Sequence, residues 1–204
     1  MWFFRGANII EFPTRILGVS ARTNYLSGML RFSSCLGGFW LGFACWMVPA
    51  GAVAQAPDFA FAVLKYRGGG DYYANPTALP NLISFCEDAM GVNVSPTVDF
   101  VGAGDPELLD FPFVHMTGHG NVVFSDSEAR NLRNWMLSGG FLHISDNYGM
   151  NPYIRREMKK VFPDAEWVEV PFDHPVYHAV FDFDNGLPKV HEHDNQPARG
   201  YGMV

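Results

Sequence analysis

The chain has 204 residues, 48% hydrophobic and 17% charged, with a formal net charge of −7. That composition bounds a globular chain with a sizeable core, long enough for one domain plus an appendage. Residues 1–54 hold four Arg and one acidic residue, Glu11, which leaves 10 basic and 20 acidic side chains in residues 55–204. An acidic body excludes non-specific nucleic-acid binding, which requires a basic face.

The N-terminal stretch is read as a targeting segment. No charge occurs from Phe32 to Pro57, and Arg31 stands just before that run. Leu36 to Val48 forms an apolar core of about 13 residues, followed by Ala52-Val53-Ala54, the order of a cleavable signal peptide. Met29 would open a signal peptide of ordinary proportions. The expected division is therefore an upstream extension over 1–28, a signal peptide over 29–54 and an α/β domain over 58–204. The alternative is an uncleaved anchor in the inner membrane over residues 32–54, although a span needs about 20 apolar residues. Cleavage leaves Cys86 as the one mature cysteine, so no intrachain disulfide is expected in an exported, periplasmic or extracellular domain.

Phe59 to Tyr66 is mostly apolar and predicts a buried strand, ended by Arg67-Gly68-Gly69-Gly70-Asp71. Apolar residues at 79, 82, 83, 86, 89 and 90 predict one helical face closed by Gly91. Val92 to Val101 predicts a second strand, with Pro96 favouring the sheet edge. Phe111 to Thr117 predicts a third. Ser125-Asp126-Ser127-Glu128 is a capping box that opens a helix with Ala129, Leu132, Trp135 and Met136 inward, stopped by Gly139-Gly140. Phe141 to Ile144 predicts a fourth strand. Asn151-Pro152 opens a third helix with Ile154, Met158 and Val161 inward, and Glu166 to Val170 predicts a fifth strand. Beyond Phe172 the chain reads as irregular. This order is that of a doubly wound, mostly parallel α/β sheet.

Such sheets carry their sites at the carboxyl ends of the strands. That rim would gather Arg67 to Tyr73, Thr117 to Asn121 and Ser145 to Gly149. All seven histidines lie between His115 and His193, and imidazole is both a titrating group near neutrality and the commonest metal ligand. His115 reads as a structural strand residue. His119, between two glycines, reads as a rim residue. Asp146 would ligate a cation or orient His119, or else it or Asn147 would cap the next helix. The candidate ligand-binding set is Arg67, Gly69, Asp71, Gly118, His119, Asn121, Asp146, Asn147 and Tyr148. A divalent metal, if one is bound, would draw on His119, Asp146, His191 and His193. His174, His178, His191 and His193 fall in a late loop expected to close over the rim.

Three sets of runs carry a family resemblance. They are Lys65-Tyr66-Arg67-Gly68-Gly69-Gly70-Asp71-Tyr72-Tyr73 and Met116-Thr117-Gly118-His119-Gly120-Asn121-Val122-Val123-Phe124-Ser125; Gly139-Gly140-Phe141-Leu142 with Asp146-Asn147-Tyr148-Gly149-Met150; and Arg155 to Pro163 with Lys189-Val190-His191-Glu192-His193-Asp194. Together they resemble the bacterial domain-of-unknown-function family DUF4159. The resemblance implies a flavodoxin-like fold, similar to class I glutamine amidotransferase-like domains, and no established activity. It also implies a domain that runs past Val204, so a final strand and helix are expected to be missing. Ser145 stands where the resemblance leads one to expect an acidic residue, which weakens a two-carboxylate metal site. Glutaminase chemistry needs a cysteine on a sharp strand-to-helix turn, whereas Cys86 falls on a helix face, so a cysteine-dependent amidotransferase is not expected. The first functional expectation is an exported domain that binds a small or envelope-derived ligand in a polar rim pocket. The alternatives are a metal-assisted hydrolase acting on envelope material and a non-catalytic scaffold. Membrane contact is expected only through an uncleaved N-terminal segment.

Overall fold

The computed structural model describes residues 57–189 and 197–204. The N-terminal segment, His191 and His193 lie outside the described residues. Four parallel strands form the main sheet in the order β2-β1-β3-β4: β1 (Phe61–Lys65), β2 (Asp99–Gly102), β3 (Phe113–His119) and β4 (Phe141–Tyr148). Helix α1 (Ala78–Met90) links β1 to β2, α2 (Asp126–Leu137) links β3 to β4, and α3 (Asn151–Val161) follows β4. The fold is a mostly parallel α/β sheet of flavodoxin-like type. Among the described residues no helix is long and apolar enough to cross a membrane.

Period-two alternation divides each strand between the two faces. Phe61 and Val63 of β1 pack with Leu79, Ile83 and Cys86 of α1. Ala62 and Leu64 point the other way, into a larger core with Val114, Met116, Leu142 and Ile144 from the sheet. Leu132 and Trp135 of α2 and Ile154, Met158 and Val161 of α3 complete that core. Trp135 is 2% exposed, and its indole N–H donates to the Phe111 carbonyl at 2.9 Å. Its ring thus adds apolar burial without stranding a donor. The capping box at α2 forms as read: Ser125 Oγ accepts from the Glu128 amide at 3.2 Å, and Glu128 Oε2 accepts from the Ser125 amide at 2.6 Å.

Three expectations are corrected. The second strand does not span Val92 to Val101: only Asp99–Gly102 pairs with β1, and Val94 makes one isolated bridge to Phe59. Pro96 lacks the N–H that a continuous ladder needs. The fourth strand runs on to Tyr148, because Ser145 and Asp146 stay paired with Thr117 and Gly118. The fifth strand, β5 (Trp167–Val170), is not in the main sheet. It pairs antiparallel with β6 (Gly200–Met203) in a separate two-stranded sheet. Tyr201 and Met203 alternate with two glycines, which weaken a strand, so β6 had little signal of its own. Arg155 of α3 ties this sheet down, its guanidinium lying 5.0 Å from the Trp167 ring centroid and 4.6 Å from that of Tyr201.

One buried carboxylate fixes the segment after β3. Glu157, 1% exposed, accepts from the Phe124 amide at 2.8 Å, from Lys160 at 2.6 Å and from Arg156 at 2.7 Å. Burial works against its ionisation more than any single contact favours it. The Lys160, Phe124 and Arg156 hydrogen bonds together outweigh burial and hold the carboxyl below the usual range. Removing one partner of a fully buried ion pair costs about 3–5 kcal/mol, but Lys160 and Arg156 are 39% and 51% exposed and can be rehydrated. The cost that remains is mainly the stranded Phe124 amide. Glu157→Ala is therefore expected to lose about 2 kcal/mol in urea unfolding, and a change within the scatter of replicate curves would show that the carboxylate does not hold this segment.

Candidate functional site

The carboxyl-end rim is built from the loop after β1, the loop after β3 and the end of β4. The first two loops lie against one another: the Val123 amide donates to the Arg67 carbonyl at 2.7 Å, and the Gly70 amide to the Asn121 carbonyl at 3.2 Å. Gly68 makes this approach possible. Its φ of +116° suits glycine, and a Cβ there would lie 2.8 Å from the Asn121 carbonyl oxygen.

Asp71 and His119 form the central pair. The Asp71 carboxylate accepts from the His119 backbone amide and lies 3.0 Å from His119 Nδ1. Burial is the largest single influence on this carboxyl and opposes ionisation. The hydrogen bonds from the His119 amide and ring prevail together and lower its pKa below the usual value. The imidazole is 51% exposed. With Nδ1 held by a carboxylate, ring orientation and tautomer are set, and Nε2 is the nitrogen left to meet a ligand or carry a proton.

Gly118 aims this histidine. Strict alternation would give His119 the face of His115 and Thr117, which are buried. The β3–β4 register shifts between Gly118 and His119, so that His119 stands opposite Tyr148 rather than Asn147. Gly118 takes φ +142°, and a Cβ there would run into the Tyr66 hydroxyl. That hydroxyl donates to the Thr117 carbonyl at 3.0 Å. Burial, with Asp71 and Asp146 nearby, pushes the phenol pKa up to about 12, so Tyr66 is a neutral donor at physiological pH.

Several predicted residues are occupied within the protein. Both oxygens of Asp146 cap α3, accepting from the Met150 amide at 2.9 Å and the Asn151 amide at 2.8 Å. Asp71, not Asp146, orients His119. Arg67, 64% exposed, pairs with Glu128 at 2.7 Å. Asn121 Oδ1 accepts from Arg156 at 3.0 Å. Asn147 Oδ1 accepts from Asn75 at 2.7 Å, and Asn75 also donates to Thr117 Oγ1 at 3.1 Å. Gly69 and Tyr148 sit on the same rim, Tyr148 being 55% exposed. No group of three His, Cys, Asp or Glu side chains is placed to hold a metal ion among the described residues.

The late loop is held locally. His174 Nδ1 accepts from the Val176 amide at 3.1 Å, and His178 contacts the Phe172 carbonyl at 2.9 Å and Asp182 at 3.0 Å. Phe181 packs on Phe85 of α1, ring centroids 5.7 Å apart. This part of the loop therefore lies against the α1 flank.

Sequence reasoning missed two arrangements. One is the Asn75–Thr117–Asn147 chain, since nothing in Asn75-Pro76 announces a partner across the sheet. The other pairs His115 with His143. Alternation puts both on the α1 face, and the register sets them opposite each other, Nδ1 to Nδ1 at 2.9 Å with rings stacked at 5.0 Å. Burial lowers the His115 pKa to about 4, and burial together with His115 lowers that of His143 well below normal. Cys86 lies buried on α1, where burial raises its thiol pKa, the reverse of what a nucleophile needs.

Fold and rim together define a flavodoxin-like α/β domain with a carboxylate–histidine pair at the strand ends. The chain matches the family described as Domain of unknown function (DUF4159) over residues 60–204 and belongs to that family. No curated protein matches the chain.

The histidine pair makes stability depend on pH. Its folded pKa values lie below the unfolded value of about 6.5, so its contribution is complete above that pH and is lost as pH falls towards the folded values. Unfolding free energy is expected to drop by an amount on the order of 3 kcal/mol from His115 alone between pH 6.5 and 4, and His143 adds to that loss. The double substitution His115→Leu with His143→Leu should flatten the profile in that window. An unchanged slope would place the acid sensitivity elsewhere.

Proposed function

We propose that the chain is an exported α/β domain that binds a small or envelope-derived ligand at the carboxyl-end rim of its parallel strands. The half-exposed His119 ring, fixed through Nδ1 by Asp71, carries this reading. A histidine oriented by a carboxylate at a strand end is pre-ordered for recognition, so binding need not freeze its rotamers. Its Nε2 would accept from a hydroxyl or amide N–H of the ligand. The exposed Arg67 and the edge of Asn121 flank it.

The rim reading is tested by NMR of the purified full chain with labelled histidine rings, titrated with muropeptides and envelope oligosaccharides. The His119 ring signal is expected to move with at least one of them, and Asp71→Asn should weaken that response about tenfold while preserving the cooperative melt. A His119 signal that stays fixed across the panel would overturn the proposal.

Export is the second element of the proposal, supported by the uncharged Phe32–Pro57 run ahead of the domain. N-terminal sequencing of the protein recovered outside the cytoplasm should begin near Gln55. A mature product that starts at Met1 would refute cleavage.

A further inference from the structure

A cavity of about 230 Å³ lies between the sheet and the start of α1. It is separate from the His119 rim pair. Val63, Leu79 and Val98 give it apolar walls, Tyr72 gives it an aromatic one, and the exposed Tyr73 and Phe100 border it. His115 forms part of its lining. This side chain is 5% exposed, and its Nε2 is buried with no hydrogen-bond partner. A buried polar atom left unpaired costs about 1–3 kcal/mol.

The His115–His143 contact defines what that nitrogen requires. Two neutral imidazoles 2.9 Å apart through Nδ1 share one proton between those atoms. If His115 donates it, His115 Nε2 is a bare acceptor. If His115 accepts it, Nε2 carries the hydrogen. A hydroxyl satisfies both cases, because it donates and accepts. A lone water would be held poorly. Buried waters typically make about three hydrogen bonds, and the one side-chain amide in the lining, Asn75, already spends its Nδ2 donors on Thr117 and Asn147. A hydroxyl carried on an apolar body fits better. An apolar cavity of roughly 150 Å³ admits benzene, so this one has room for a substituted ring. Tyr72 stands edge-on to Phe100, centroids 6.4 Å apart, and offers an aromatic wall.

We propose that this cavity is a binding site for a neutral, mostly apolar compound bearing one hydroxyl, of which a simple phenol is the smallest case, with His115 as its polar anchor. The site belongs to the α1 face and stands independently of the rim reading.

The probe is p-cresol, titrated into the purified full chain by calorimetry and by NMR of labelled histidine rings. It is expected to bind and to shift the His115 ring signal while leaving that of His119 in place. Toluene, which lacks the hydroxyl, should bind about tenfold more weakly, the value of one hydrogen bond to a buried group. The carboxylate p-toluate should be rejected, because burying a charge against apolar walls is costly. Val98→Phe, at a partly buried position, should fill the cavity and abolish p-cresol binding while the melt stays cooperative. Equal binding of p-cresol and toluene would overturn the anchor role of His115. No p-cresol binding at millimolar concentration, or a shift at His119 alone, would overturn the site. If Val98→Phe fails to fold, the His115 shift in the unmodified chain decides between these outcomes. A failure here leaves the rim proposal standing, since that proposal is read from the His119 signal with different probes.

Discussion

The buried Glu157 carboxylate is the interaction on which the rim depends. It accepts the Phe124 amide, and its partner cations reach onward: Lys160 donates to the Phe124 carbonyl at 2.9 Å, and Arg156 to the Val122 carbonyl at 2.8 Å and to Asn121. One carboxylate thus anchors the segment between β3 and α2 to α3. The loop after β1 then rests on that segment through Gly70 and Val123. Asp71 can hold His119 only because both loops are fixed relative to each other. The energetic logic is that of a satisfied buried charge: each oxygen has strong donors, so the desolvation cost is met within a few ångströms.

Elements were legible wherever local chemistry decided them. The capping box at Ser125 and Glu128 depends on residues three apart, and it forms. The apolar face of α2 follows the 3.6-residue period and is buried as read; on α1 the face buries Leu79, Ile83 and Cys86, while Ala89 and Met90 at its carboxyl end are exposed. Pro96 placed its strand at the edge, and β2 is an edge strand. What long-range pairing decided was not legible. Glu157 reads as an ordinary charged helix residue until α3 is laid against the loop after β3. β6 exists only because Trp167–Val170 offers it an edge. Asp71 read as a loop residue near a ligand, while its actual partner is 48 positions away.

The candidate site shows the same division. The rim was predictable because parallel strands end together, and the residues named from the three strand ends do gather there. Their roles were not, since capping and ligand binding compete for the same carboxylate. Asp146 illustrates the competition. Met150 begins α3 without a capping side chain of its own, so the helix leaves orphan amides that need an acceptor. Asp146, four residues earlier, supplies both oxygens. A helix that lacks its own cap thereby draws on a rim carboxylate for its first amides.

The histidines make the larger point. His115 and His119 are four residues apart on one strand, yet they meet opposite conditions. His115 is buried against His143 in a medium that keeps imidazole neutral, while His119 is half in water beside a carboxylate. The divider is the backbone at Gly118, where φ +142° and the register shift break the alternation that would otherwise bury both rings. A bulge at a strand end commonly redirects a side chain in this way. One glycine therefore separates a buried imidazole suited to an uncharged partner from an exposed one suited to a polar partner. The α1 face and the rim are better understood as two chemically distinct surfaces than as one histidine cluster.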